Sequence, residues 1–242
     1  MMLLRNISSP RTLLAASVFL SLATLSFGAV SITNGDFETV GGNTQDVFGW
    51  FDYQTGNGDL QQAVSGNPAQ IPSGDNTGDY WLNLVDNSSF GYATGVYQQI
   101  GTYDAGVTSY EITFDVGCRV TDSPFNVMNL YLYTGTATGA DGSTPADLLS
   151  AISYSGAAED YYTITSPGSG NIATITVTFD VTGAELLDGD LIWIAFASTD
   201  DAPGSQQGLI DNVSIAAIPE PGTFAFVAGV FGIAAIACRR KA

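Results

Sequence analysis

The stretch SYEITFDVGCRV, which begins at Ser109, alternates strictly. Tyr110, Ile112, Phe114 and Val116 are apolar, and Glu111, Thr113 and Asp115 between them are polar. A period of two puts every second side chain on one side of an extended chain, so the segment fits a half-buried strand and offers no apolar stripe for a helix. The stretch ATITVTFDV repeats the pattern, with Ile175, Val177, Phe179 and Val181 set against Thr174, Thr176, Thr178 and Asp180. Runs at 80–84, 96–100, 127–133, 191–196 and 209–215 are further strand candidates, separated by clusters of Gly, Asn, Asp and Ser that supply turns. The one helix-like piece is PADLLSA at 145–151, enough for about one or two turns. Many short strands with glycine-rich connections predict an all-β fold, a jelly-roll β-sandwich.

The two ends of the chain have a different character. Arg5 and Arg11 precede an apolar run at 13–25, and the small residues Ser26 and Gly28 follow it, which predicts a signal peptide over 1–28 cut after Gly28, with Ala29 as the alternative site despite bulky Phe27 at its minus-three position. At the other end, residues 223–238 carry no charge and Arg239, Arg240 and Lys241 come directly after them. As a helix that run spans about 24 Å, short of a ~30 Å hydrocarbon core, but the basic side chains can snorkel to lengthen it. The expectation is a transmembrane helix over 223–238 with its basic end in the cytoplasm, so the chain divides into a signal peptide at 1–28, a sandwich at 29–217 and a tail at 218–242. Pro219 and Pro221 fix their own backbone and bias the residues before them toward extended conformation, which keeps the start of the tail out of the helix.

Pro219, Glu220 and Pro221, then the apolar span, then Arg239 and Arg240, resemble the PEP-CTERM sorting signal. The resemblance covers only residues 218–242. It implies an exported protein tethered first at the inner membrane and then sorted to the cell surface or beyond. Its partner would be a membrane processing enzyme of the exosortase type, for which these five residues are substrate and not catalyst.

The formal net charge is -18, and of the six Lys and Arg only Arg119 lies between the two terminal segments. A chain this acidic repels nucleic acid, anionic membrane and anionic polysaccharide, so no nucleic-acid partner is expected. Solubility accounts for most of the acidity, and binding of a hard cation such as calcium is the sharper alternative. Cys118 lies in the sandwich and Cys238 in the apolar tail, so no disulfide is expected, and Cys118 reads as a small buried apolar residue. The chain has no histidine. That removes Ser-His and Cys-His nucleophile pairs and histidine-based metal sites. There is no nucleophile elbow, phosphate loop or dinucleotide fingerprint, and the adjacent acids Asp200–Asp201 and Glu159–Asp160 would point to opposite sides of an extended chain. These observations lead to the expectation that the protein is not an enzyme.

ITNGDFETVGG with Gly49 and Trp50, LIDNVSI near residue 211, and GVYQQIGTYDAGVTSYEITFDVGCR between them resemble galactose-binding-like β-sandwiches, the group that holds many carbohydrate-binding modules. The resemblance spans roughly 30–215. It implies a structural calcium ion between the N-terminal segment and the last strand, with Glu38 and Asp211 as side-chain ligands and Asp36 as a weaker third. Read without the family, Asn34 and Asp36 also fit a turn cap, and Asp211 a carboxylate that accepts backbone donors. The resemblance further implies extracellular polysaccharide as partner, because sugar rings lay their C–H faces on aromatic planes. Trp81, Tyr92, Tyr97, Tyr131, Tyr133, Tyr154, Tyr161 and Tyr162 are the aromatic candidates, whereas Trp50, Trp193, Phe114 and Phe179 read as core. In MNLYLY, Tyr131 and Tyr133 alternate with Leu130 and Leu132, so the two tyrosines share one face. That pair ranks first, with Trp81 beside it. The alternative is a structural protein of the extracellular matrix or biofilm with no small ligand.

Overall fold

The computed structural model describes residues 29–39, 47–52, 60–64, 80–87, 95–118, 125, 127–135, 150–151, 161–182, 184, 186–198, 205–220 and 222. The strands are β1 (Phe51–Asp52), β2 (Leu60–Val64), β3 (Tyr80–Asn87), β4 (Gly95–Thr102), β5 (Val107–Cys118), β6 (Val127–Gly135), β7 (Ser150–Ala151), β8 (Tyr162–Thr165), β9 (Ile172–Asp180), β10 (Leu191–Ser198) and β11 (Ser205–Pro219). They form two antiparallel sheets. The first has the order β1-β4-β10-β6-β7, with β8 also paired to β6, and the second has the order β2-β3-β11-β5-β9. The runs β4-β10-β6-β8 and β3-β11-β5-β9 interleave as the strands of a jelly roll do.

The alternation in β5 and β9 explains why the sheets stack. Tyr110, Ile112, Phe114 and Val116 are fully buried on one side of β5, and Val177 and Phe179 join them from β9. They meet Ile192, Ile194 and Phe196 of β10 and Leu130 and Leu132 of β6 from the other sheet in one continuous core. The rings of Phe114 and Phe196 cross this core edge to face, 5.3 Å apart. Each such ring contributes about 1.5–3 kcal/mol through the area it removes from water. The other side of the β5–β9 pair is polar over much of its length. Thr113 and Thr176, opposite one another in the register, share a hydroxyl hydrogen bond of 2.9 Å, and the Thr174 hydroxyl donates to Asp115 Oδ1.

The N-terminal segment closes one end of the core. Gln98 is buried, and its amide accepts from Thr33 N at 2.7 Å and donates to Thr33 O at 2.9 Å and Gly49 O at 2.6 Å. Phe37 lies 5.6 Å from the Trp50 ring, whose Nε1 donates to Asn34 O at 3.3 Å. The β5–β11 register slips between Asp211 and Ser214, where Asn212 adopts φ 51°. At this bulge Val213 N donates to Gly35 O at 2.8 Å. A side chain at residue 35 would run into the Val213 carbonyl, which is why glycine stands there.

Three expectations meet this fold differently. Of the helix-like piece at 145–151, residues 145–149 lie outside the described residues, while Ser150 and Ala151 form β7 and pair with β6. Trp193 is buried but not in the core between the sheets; it alternates with Ile192 and Ile194, which face the core, and so stands on the far side of β10. Cys118 is a buried residue at the end of β5. Among the described residues no helix is long and apolar enough to cross a membrane, and segments 1–28 and 223–238 lie outside them.

Candidate ligand-binding face

The face of the first sheet that points away from the core is aromatic. Along β10, Ile192, Ile194 and Phe196 enter the core, so Leu191, Trp193 and Ala195 stand on the outer side. In the register Ala195 is flanked by Tyr97 of β4 and Tyr131 of β6, and Trp193 is flanked by Tyr133. Phe51 of β1 lies opposite Tyr97. Adjacent strands are about 4.8 Å apart, so the backbones of Tyr97 and Tyr131 stand roughly 10 Å apart with only a methyl group between them.

The rings form a connected surface. Phe51 and Tyr97 are 5.4 Å apart, and Tyr97 and Trp193 are 5.8 Å apart, both pairs tilted. Tyr131 and Tyr133 stack at 5.3 Å with only 13° between their planes, and Tyr161 tilts onto Tyr131, also at 5.3 Å. Tyr97 and Trp193 are each 1% exposed, while Phe51, Tyr131 and Tyr161 keep part of their surface open. Two polar side chains accompany them. Asn129 Nδ2 donates to the Tyr131 hydroxyl at 3.0 Å. Asn129 Oδ1 and Trp193 Nε1 are buried without a hydrogen-bond partner among the described residues. An unpaired buried polar atom costs about 1–3 kcal/mol, so the pair leaves one acceptor and one donor to be satisfied.

Trp81 does not belong to this face. It packs with Leu209 and Ile172 on the second sheet, on the side away from the core, and is 1% exposed. The sandwich therefore separates it from Tyr131 and Tyr133. Tyr92 and Tyr154 lie outside the described residues. Phe51 and Trp193 were not among the sequence candidates. In LIWIAFAS both sides of the strand are apolar, and the signal for a covered outer face was that lack of alternation.

The acidic candidates lie at the end closed by the N-terminal turn. Glu38 Oε1 accepts from Tyr80 N at 3.0 Å, and Asp36 Oδ1 accepts from Glu38 N at 3.4 Å. Asp211 is buried, and its Oδ1 accepts from Asn212 N at 2.7 Å. The Val213–Gly35 hydrogen bond sets the turn that carries Asp36 and Glu38 against the bulge that carries Asp211. Among the described residues no three Asp, Glu, Cys or His side chains group as metal ligands, so an ion there would need backbone oxygens as well. Pro219 ends β11 and Glu220 follows it, whereas Pro221, Arg239 and Arg240 lie outside the described residues.

Neither a protein-family model nor a curated protein matches the chain. Solved structures do. A Stig cyclase from Fischerella sp. TAU, in complex with (3Z)-3-(1-methyl-2-pyrrolidinylidene)-3H-indole, aligns over 80% of this chain and 99% of its own, at a TM-score of 0.57 and 17% identity. A Fischerella sp. TAU cyclase in complex with 4-(1H-indol-3-yl)butan-2-one aligns over 79% and 98%, at 0.51 and 16%. A CBM4 carbohydrate-binding module aligns over 70% and 94%, at 0.40 and 14%. At these identities the likeness is one of fold. It nevertheless corrects the expectation that the protein is not an enzyme, because a cyclase is built on this sandwich over almost its full length. Lack of histidine was too narrow a ground. Carboxylates and tyrosines also serve as general acids and bases, and one fold hosts both binding and catalysis.

Proposed function

We propose that the protein is exported, sorted to the cell surface through its C-terminal signal, and binds neutral carbohydrate on the tyrosine face of the first sheet. The observation that carries this reading is the stacked pair Tyr131 and Tyr133 extended by Tyr161, with Tyr131 and Tyr161 partly open to solvent. An aromatic platform of this kind suits the C–H face of a sugar ring. The strongly acidic chain disfavours anionic polymers and directs the choice to uncharged glycans. Export and sorting rest on the basic and apolar N-terminal run and on the order Pro219-Glu220-Pro221, apolar span, Arg239-Arg240. A structural calcium ion belongs to the same reading, with Glu38 and Asp211 as side-chain ligands and Asp36 as a third. The contact between the N-terminal turn and the β11 bulge supports it.

The test is a glycan array joined to pull-down on insoluble polysaccharides. Binding to neutral glycans, weakened about tenfold by Tyr131→Ala, is the expected result, since a lost aromatic contact of ~1.4 kcal/mol is a factor of ten. Absence of binding to any glycan contradicts the reading and leaves a matrix protein without a small ligand. Binding of an indole-bearing small molecule in place of glycans would contradict the proposed ligand class and keep the face.

A further inference from the structure

The sandwich does not stop where the sorting motif begins. Ile218 pairs with Ser109, and after a one-residue slip Pro219 pairs with Val107, so the last strand runs into the motif. The Thr108 hydroxyl donates to Ile218 O at 3.1 Å, and Glu220 N donates to Gly106 O at 3.0 Å. The acceptor at Gly106 is held in a braced turn. Val107 N donates to Asp104 O at 2.9 Å, and Gly106 N donates to Asp104 Oδ1 at 2.7 Å. Proline has no N–H, so Pro219 gives the ladder nothing to donate and Pro221 gives nothing after it. Glu220 owns the single backbone donor within Pro-Glu-Pro, and that donor is in use.

Enzymes that cut or transfer a peptide grip it in extended form, largely through its free backbone groups. From Ser214 to Pro219 the strand is held along one edge by β5, and Ile218 O and Glu220 N are held by Thr108 and by the turn before β5. We infer that the sandwich clamps the front of its own sorting motif, so that the first peptide bond open to the processing enzyme lies on the C-terminal side of Glu220. In the hydrolytic case the C–N bond of that peptide breaks. Water supplies oxygen to the acyl carbon, and the departing nitrogen takes a proton. The mature protein then keeps an intact last strand and ends at Glu220 or later. The inference rests on the sorting reading for the identity of the enzyme, and on the hydrogen bonds alone for where the chain is closed to it.

Two measurements separate these supports. The full chain in membranes is digested with proteinase K, and the protected fragment is weighed by mass spectrometry. A fragment ending at Glu220 or beyond is expected, and one ending within 211–218 overturns the clamp. Asp104→Ala, which removes the brace on Gly106, is expected to move the cut upstream of Glu220 and speed it roughly tenfold, as the loss of one charge-assisted hydrogen bond allows. Unchanged cleavage in that variant also overturns the clamp. The second measurement is the mass of the surface form. A C-terminus at 220 or later supports the inference, and one at or before 218 overturns it while leaving sorting intact. A surface form that still carries 223–242 overturns the sorting reading, and the protease result then decides the clamp alone.

Discussion

Tyr110 faces the core from β5, fully buried, and its hydroxyl has no hydrogen-bond partner among the described residues. Burial raises its pKa well above the ordinary tyrosine value, with smaller contributions from Tyr103 and Asp104. The sign of the pH dependence follows. Below about pH 10 the phenol is protonated in the folded and unfolded chains alike and the stability is fully present. As the pH rises further the unfolded chain ionises while the folded one resists, so stability falls. Tyr110→Phe removes the unpaired hydroxyl and the titration together. It is expected to raise stability by about 1 kcal/mol at neutral pH and to flatten the loss above pH 10, as read from urea unfolding at pH 7 and pH 10.5.

At the scale of single elements, β11 depends on a conformation that its composition does not announce. Asn212 sits at φ 51° in the bulge, and its side-chain amide donates to Asp115 Oδ2 at 2.9 Å. A β-branched residue in that region is strained, so Asn212→Val should cost about 1–3 kcal/mol and weaken the contact of the bulge with Gly35. A drop in the denaturation midpoint checks it. β5 and β9 were legible from the sequence because one face meets the core and the other meets water, which prints a period of two. β10 was not legible in the same way, since Trp193 and Leu191 on its outer side are as apolar as Ile192 and Ile194 on its inner side. The tyrosine pair on β6 was legible from its alternation with leucines. Its separation from Trp81 was not, because period two assigns a side of a strand but never says which sheet the strand joins.

For the whole molecule, the two outer surfaces differ in kind: threonine and carboxylate dominate β5 and β9 of the second sheet, and aromatic rings dominate the first. The charge is carried without any disulfide among the described residues, so a bound cation would be a natural brace between the N-terminal turn and β11. If calcium sits there, adding it should raise the melting temperature by several degrees, chelator should reverse the rise, and Asp211→Ala should abolish it. An unchanged melting temperature removes the site and leaves the acidity to solvation.

The central claim is that ligand recognition belongs to the tyrosine face and not to the opposite sheet. The most direct measurement compares Tyr131→Ala with Trp81→Phe by affinity electrophoresis in gels that contain the neutral polysaccharide the protein retains. The account predicts that Tyr131→Ala weakens the affinity read from the retardation by about tenfold, while Trp81→Phe leaves it as in the unaltered protein. Full retardation of Tyr131→Ala, with loss in Trp81→Phe, would contradict it and move the binding surface to the other side of the sandwich.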